Sequence, residues 1–159
     1  MVEFQRIDTK QSHWLLDVTI TVFIEFKTEV DIERMIKIMK AKILIVDDTK
    51  FMREVLRDIF VSNGYEVVAE AGDGEEAVHL FKIHKPNLVT MDITMPEMNG
   101  ISALIEIKKI DPDAIVIMCS AMAQKGLVLD AIMAGAKDFI VKPFNKDRVI
   151  ETINNVLSR

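Results

Sequence analysis

Residues 88–100 of the chain read Leu88-Val89-Thr90-Met91-Asp92-Ile93-Thr94-Met95-Pro96-Glu97-Met98-Asn99-Gly100. The stretch begins with a short apolar run that includes β-branched residues, which is typical of a buried β-strand. Pro96 and the Asn99-Gly100 pair are turn formers, so a loop follows and Asp92 stands where the strand ends. In open α/β sheets, ligands bind beyond this carboxyl end of the strands. The stretch therefore predicts a strand that delivers a carboxylate into a binding cleft.

The same strand-then-helix order repeats from Lys42 to the end of the chain. The pattern predicts strands over 42–46, 66–71, 88–91, 114–119 and 138–141. It predicts helices over 50–63, 75–84, about 102–110, 124–134 and a last one opened by Asn145. Five strands that alternate with five helices predict a parallel sheet covered by helices on both faces, in agreement with continuously apolar strands. The expected fold class is α/β, a doubly wound flavodoxin-like domain with a five-stranded parallel sheet and five helices.

Composition narrows the function classes. The chain has 159 residues, half of them apolar, and a formal charge of −5, which argues against a general nucleic-acid or membrane-surface binder. The apolar run over 14–26 is interrupted by Asp17 and Glu25 and is shorter than the roughly 18 residues that a membrane span needs. No signal peptide pattern is present, and the single cysteine, Cys119, fits a buried thiol in a reducing compartment. We therefore expect a cytoplasmic protein without membrane insertion.

Residues 1–38 differ from the rest of the chain. Apolar residues alternate with others over 18–26, which is a strand pattern, but no chemistry-bearing motif accompanies it. We therefore divide the chain into an N-terminal extension of unknown role, 1–38, and one domain, 39–159. Two interpretations of the extension stay open: an added strand or dimerisation arm, or a misassigned start with Met39 as the true first residue. The second is favoured because 39–159 makes a complete domain by itself.

Polar side chains occur at the carboxyl ends of four of the five predicted strands: Asp47 and Asp48, Asp92, Ser120 and Lys142. Parallel strands place all these ends on one rim of the sheet. Three carboxylates in one cleft repel one another at neutral pH unless a cation binds, and an oxygen-only cluster suits Mg²⁺. Lys142 and Ser120 are suited to bind phosphoryl oxygens while a carboxylate attacks phosphorus in line. Asp92 is the predicted nucleophile.

Each of these residues taken singly has a simpler interpretation. Asp48 or Thr49 would cap the first helix, and a lone lysine or serine on a rim is usually solvated surface. Suitable groups at four separate strand ends favour a binding site over coincidence. The Lys142-Pro143 bond leaves two alternatives, a cis peptide that aims Lys142 into the cleft or the commoner trans form.

These motifs carry a family resemblance. The segments are Ile45-Val46-Asp47-Asp48, residues 91–100, Cys119-Ser120-Ala121 and Val141-Lys142-Pro143-Phe144. Together they resemble the receiver domain of two-component response regulators, and the resemblance covers 39–159. Within that family the stand-alone chemotaxis regulators are the most similar, through Phe51-Met52-Arg53, residues 89–96 and residues 136–140.

The resemblance implies that Asp92 accepts a phosphoryl group from a sensor histidine kinase of the CheA type. It also implies Mg²⁺ held by Asp48, Asp92 and the backbone carbonyl of Thr94, with Asp47 acting partly through water. In the same way, Ser120 and Lys142 are expected to bind the acyl phosphate.

The resemblance gives roles to two further positions. Phe139 falls at the family's switch aromatic, which turns inward as the hydroxyl of Ser120 moves, although without the family it would pass for a core aromatic. Met122 falls at a position that tunes hydrolysis in the family.

We expect a phosphorylation-controlled regulator that signals by contact with a target protein. In chemotaxis this target is a flagellar switch protein, and a phosphatase is a further expected partner. The alternative is a single-domain phosphorelay intermediate that passes the phosphoryl group to a histidine phosphotransferase. A third, remote alternative is an aspartyl-phosphate phosphatase, but Asp92-Ile93-Thr94 lacks the Asp-x-Asp pair of such enzymes. We therefore expect that the protein is not an enzyme in the usual sense. Its expected chemistry is its own phosphorylation and a slow autodephosphorylation.

Overall fold

The computed structural model describes residues 41–121 and 125–158, together with residues 32, 33 and 36. The chain divides into two units, Met1–Ile36 and Lys37–Arg159, and the fold and site below belong to the second. The strand pattern over 18–26 and Met122 lie outside the described residues. Among the helices described, none combines the length and the apolar character that crossing a membrane requires.

The five described strands form one parallel sheet, as predicted. They are β1 (Lys42–Val46), β2 (Glu66–Ala71), β3 (Leu88–Asp92), β4 (Val116–Ala121) and β5 (Asp138–Lys142). Their order is β2-β1-β3-β4-β5, so the winding direction reverses between β1 and β3. A crevice forms outside the strand ends at such a reversal, and Asp47 and Asp92 flank this one.

Four helices connect the strands: α1 (Lys50–Val61), α2 (Gly74–His84), α3 (Gly100–Ile110) and α4 (Lys125–Met133). A fifth helix, α5 (Lys146–Leu157), follows β5. Their bounds differ from the predicted ones by one to two residues. Helix α1 ends at Val61 because residues 62–64 form a turn. Helix α3 begins at Gly100 because Asn99 caps it, the side chain of Asn99 accepting a hydrogen bond of 2.9 Å from the Ser102 N–H.

Strand β4 is displaced toward the rim relative to the predicted 114–119. It spans Val116–Ala121 because its last residues pair with β5, where Ser120 lies opposite Val141 and Ala121 opposite Lys142. Ser120 therefore lies inside the strand rather than after it. Lys142 likewise is the last residue of β5, one residue beyond the predicted end.

The buried residues that the structure describes form two apolar cores, one on each face of the sheet. One is built around Val89, Met91, Leu104 and Met118 and packs the sheet against α2 and α3. The other is built around Ile45, Ile117, Phe60 and Ile153 and packs it against α1 and α5. Among the residues that the structure describes, helices cover both faces of the sheet, and the strand ends lie beyond these helices.

Candidate functional site

Three carboxylates converge at the rim of the sheet. Asp47 and Asp48 follow β1, and Asp92 ends β3; each offers one oxygen, and these oxygens all lie within 4.8 Å of one another. Asp47 is fully buried and Asp92 is 6% exposed, whereas Asp48 is open to solvent. The adjacent positions of β1 and β3 in the sheet bring together acids that are far apart in the sequence.

The Lys142 ammonium lies between two of these acids. Its Nζ lies 2.7 Å from Asp47 Oδ2 and 3.1 Å from Asp92 Oδ2, and its side chain is 17% exposed. The Lys142-Pro143 peptide bond is cis, which was the rarer of the two alternatives considered from the sequence. Lys142 therefore joins the end of β5 to the ends of β1 and β3.

The charges at the site perturb one another. Burial raises the pKa of the Asp92 carboxyl, and repulsion by Asp47 adds to the rise; Lys142 and a backbone hydrogen bond from Thr94 oppose it without cancelling it. Burial by itself would lower the pKa of Lys142, but hydrogen bonding to Asp47 and attraction by Asp92 outweigh burial, so the pKa is raised. Lys142 is therefore cationic at neutral pH, and the rise in the pKa of Asp92 comes first from burial.

Asp47 is fixed by three hydrogen bonds besides the one that it accepts from Lys142. Its Oδ1 accepts from the Thr49 N–H at 2.9 Å, and its N–H donates to the Ala71 carbonyl at 3.1 Å. Its backbone carbonyl accepts from Arg53 Nη1 at 2.7 Å. Thr49 holds the N-cap position of α1, but its side chain makes no capping hydrogen bond, so capping does not account for the acid pair.

The remaining predicted residues lie at the same rim or close to it. Ser120 is 3% exposed and directly follows Cys119, which lies opposite Asp92 in the β3–β4 register. Phe139, on β5, lies opposite Met118 of β4 and is half-buried against the core. Thr94 is exposed, and its backbone bonds to Asp92.

A groove of about 490 Å³ runs along the end of β5 and the start of α5. It is lined by Phe139, Lys142, Asn145 and Arg148, among others. The predicted switch aromatic and the rim lysine therefore border the same groove.

Sequence reasoning missed the residues that support the acids from behind. Arg53 and Arg57 are four residues apart on α1, and both bond Glu70 of β2. The sequence could have predicted that the two arginines lie on the same face of α1, since residues at i and i+4 are neighbours on a helix surface. Their shared partner, Glu70 on β2, could not be predicted from the spacing of residues along the helix.

Cys119 has the role expected of it. It is free and buried beside the site, and burial raises the pKa of its thiol. A protonated, enclosed thiol is a poor nucleophile.

Comparison with known proteins agrees with this geometry. The family model described as the response regulator receiver domain matches residues 43–154. The chemotaxis protein CheY of Bacillus subtilis is 64% identical over 120 residues, which cover 76% of this chain and 100% of that protein. CheY of Thermotoga maritima is 60% identical over 118 residues, covering 74% of this chain and 98% of that protein.

A solved structure agrees as well. In the crystal structure of the CheX–CheY–BeF3–Mg complex from Borrelia burgdorferi, the matched chain has 43% sequence identity and a TM-score of 0.72. The match covers 75% of this chain and 90% of that chain. With a five-stranded receiver fold, three rim acids and a rim lysine, the chain belongs to the response regulator receiver domain family, as a phosphorylation-controlled regulator closely related to the CheY chemotaxis proteins.

Proposed function

We propose that this chain carries its phosphoryl group on Asp92, accepts it from a histidine kinase with the help of Mg²⁺, and signals by protein contact in chemotaxis. The observation that supports this most directly is the convergence of Asp47, Asp48 and Asp92 with the Lys142 ammonium at one rim. Asp92 ends β3 at the topological reversal of the sheet, the position where ligands bind in open α/β sheets, and Asp47 flanks the same reversal from β1.

The acid cluster suits Mg²⁺ by its chemistry. All three donors are carboxylates, the hard oxygen ligands that Mg²⁺ prefers, and three carboxylate oxygens within 4.8 Å of one another favour a bound cation. Asp48, Asp92 and the backbone carbonyl of Thr94 would hold the ion, with Asp47 acting partly through water. The bound ion supplies positive charge that offsets repulsion between the incoming phosphoryl oxygens and the acids.

The transfer itself needs one nucleophile and one leaving group. A carboxylate oxygen of Asp92 attacks phosphorus in line while the bond from phosphorus to the kinase histidine nitrogen breaks, and the electron pair stays on the imidazole. Asp92 becomes a mixed anhydride and loses its own carboxylate charge. Lys142 then pairs with a phosphoryl oxygen while Asp47 continues to hold the ammonium.

The switch that follows links Ser120 to Phe139. The phosphoryl group brings about two negative charges and acceptor oxygens to the rim. Ser120 directly follows Cys119, the residue that lies opposite Asp92 in the β3–β4 register. Movement of that hydroxyl toward the new oxygens would open space for Phe139. Phe139 borders the groove along β5 and α5, so this surface is the one expected to change.

The proposed partners follow from the relatives. The relatives named chemotaxis protein CheY support a CheA-type kinase as donor and a flagellar switch protein as target, in the cytoplasm. The relative solved in a complex with CheX, BeF3 and Mg supports a further protein partner that binds this chain when it is phosphorylated. We propose that this partner is a phosphatase. An aspartyl-phosphate phosphatase activity of the chain itself has no support beyond the nucleophile.

Phosphorylation tests the proposal directly. Incubation of the full chain with acetyl phosphate and Mg²⁺ should add one phosphoryl group by intact mass, and Asp92→Asn should abolish the addition. Asp111→Asn, at an exposed acid after α3, is the matched control and should behave as the wild type. Undiminished labelling of Asp92→Asn would reject the assignment.

A second assay separates chemotaxis signalling from a phosphorelay. The phosphorylated chain should bind a flagellar switch protein more tightly than the unphosphorylated chain in a pulldown. Rapid transfer of the phosphoryl group to a histidine phosphotransferase, without such binding, would favour the phosphorelay alternative.

A further inference from the structure

Arg53 contacts the backbone behind the acid cluster without contacting any of the three acidic side chains. Its Nη1 donates to the Asp47 carbonyl at 2.7 Å, and its Nε donates to Glu70 Oε2 at 3.2 Å. The Arg53 side chain is 19% exposed, so these bonds are largely shielded from water. A charged donor on a backbone carbonyl forms one of the stronger hydrogen bonds in proteins.

The Asp47 carbonyl belongs to the peptide group that joins the two acids. Because a peptide group is planar, fixing this carbonyl also fixes the direction in which Asp48 leaves β1. The Asp47 N–H is held from the other side by the Ala71 carbonyl at 3.1 Å. Asp48 itself is exposed, and its carboxylate receives only a long bond of 3.4 Å from Thr49 Oγ1. The orientation of Asp48 therefore depends mainly on its backbone.

Glu70 holds the Arg53 guanidinium in place. Glu70 accepts from both Arg53 and Arg57, so a single carboxylate on β2 clamps two arginines of α1. Burial would raise the pKa of Glu70, but the two guanidinium groups outweigh burial and lower it. Glu70 is therefore ionised at neutral pH, and it keeps the guanidinium fork aimed at the Asp47 carbonyl.

We infer that Arg53 is a positioning residue for the Mg²⁺ ligands: by fixing the Asp47–Asp48 peptide, it sets the orientation of Asp48 and thereby the affinity of the site for the ion. The inference rests on the proposed function, because it takes the acid cluster as a Mg²⁺ site. Arg53 bonds Glu70 and the Asp47 carbonyl, and it forms no hydrogen bond or ion pair with the carboxylates of Asp47, Asp48 or Asp92. Its contribution passes through the backbone of the acid pair.

The sign of the effect separates positioning from electrostatics. Arg53 is a cation close to a cation site, so repulsion alone predicts that its neutralisation tightens Mg²⁺ binding. Loss of positioning predicts the opposite, since outer-shell partners of metal ligands typically contribute about 10- to 100-fold to affinity. Weaker binding after removal of a positive charge therefore cannot come from electrostatics.

The experiment compares Arg53→Met with Arg57→Met in the full chain. Both variants remove one positive charge and one bond to Glu70, but only Arg53 reaches the Asp47 carbonyl. Mg²⁺ titration by calorimetry should give roughly tenfold weaker binding for Arg53→Met. For Arg57→Met we expect affinity unchanged or slightly higher. The amide resonances of Asp48 and Thr49 should shift in the Mg²⁺-free form of Arg53→Met alone.

The outcomes are distinguishable. If the wild-type chain binds Mg²⁺ and Arg53→Met binds it equally well or more tightly, the inference is overturned and the proposed function stands. If the wild-type chain binds no Mg²⁺, the proposed function itself fails, and the inference fails with it. Should Arg53→Met not fold, Arg53→Gln against Arg57→Gln gives the same comparison, because each again removes one positive charge and only Arg53 reaches the Asp47 carbonyl. Equal affinities for those two variants would also overturn the inference.

Discussion

A Cβ atom on Gly100 would lie 1.9 Å from the backbone oxygen of Asp92, closer than any side chain allows. The Gly100 N–H donates to the Ile93 carbonyl at 3.0 Å, so α3 begins directly against the end of β3. The missing side chain thus brings the first turn of a helix up to the proposed phosphoacceptor. The obstruction is backbone rather than a flexible side chain, so it cannot be relieved locally.

Gly100→Ala should therefore destabilise the domain. We expect a loss of about 1–3 kcal/mol in the free energy of unfolding, the usual cost of forcing extra volume into a packed site. Slower phosphorylation by acetyl phosphate should accompany it, because the strand end that carries Asp92 must shift. Urea denaturation and the rate of mass gain measure the two effects.

Gly126→Ala is the matched control for that substitution. Gly126 lies in α4, and nothing lies within 4 Å of the position that its Cβ would take. Alanine is a better helix former than glycine, so this variant should be as stable as the wild type or up to about 1 kcal/mol more stable. Equal stability of Gly100→Ala and wild type would contradict the close approach.

The raised pKa of Asp92 predicts a pH-dependent stability. An acid whose folded pKa lies above its unfolded value near 3.8 binds protons more tightly in the folded state. Its contribution to stability is therefore lost as the pH rises through the interval between 3.8 and the raised value. Without Mg²⁺, Asp92→Asn should thus unfold at a higher temperature than the wild type at pH 7.

The difference between the two proteins should shrink as the pH falls below the unfolded value, because Asp92 is then protonated in both folded and unfolded chains. Thermal melts across pH 3–8 measure it, with Asp111→Asn as a solvent-exposed control. A lower melting temperature for Asp92→Asn than for the wild type at pH 7 would contradict this prediction. It would mean that the attraction between the Asp92 carboxylate and Lys142 stabilises the fold by more than burial of the charge destabilises it.

Thr90 carries a buried hydroxyl without a hydrogen-bond partner. Its side chain is completely enclosed on β3 between Ile45 and Ile117, and Oγ1 is the only buried side-chain polar atom without a partner in the part of the chain that the structure describes. Such a group costs about 1–3 kcal/mol in desolvation. Thr90→Val keeps the shape and should raise the free energy of unfolding by about 1 kcal/mol.

Thr90→Ser keeps the hydroxyl and loses the methyl group, so it should destabilise the domain instead. Chemical denaturation of the two variants gives the comparison. If Thr90→Val is the less stable of the pair, an internal partner such as a buried water must satisfy the hydroxyl.

The sheet and the strand ends were predictable because both follow from local pattern. Apolar runs fix the strands, and alternation with helices fixes a parallel sheet, so Asp47 and Asp92 had to meet at one rim. The cis form of the Lys142-Pro143 bond could only be posed as an alternative, since tertiary contacts decide it. The role of Arg53 was not predictable at all, because its acceptor is a backbone carbonyl that no side-chain pattern marks.

Removal of residues 1–38 tests the division of the chain into an N-terminal extension and one domain. We propose that 39–159 folds without the N-terminal extension, since the strands, the core residues and the rim acids that the structure describes lie within 41–158. A chain that begins at Met39 should retain a cooperative unfolding transition and the phosphorylation rate of the full chain. A large loss of stability would show that the extension belongs to the domain.

Lys142→Ala should separate phosphorylation from switching. Without the ammonium, Asp92 loses its nearest opposite charge, but its carboxylate and the other acids remain, so acetyl phosphate should still label it slowly. The phosphoryl oxygens would lack the charge that connects them to β5, where Phe139 lies. The phosphorylated variant should therefore bind the target no better than the unphosphorylated one. Lys146→Ala, at the exposed first residue of α5, is the control and should switch normally. Phosphorylation-enhanced binding by Lys142→Ala would show that the signal reaches β5 without the lysine.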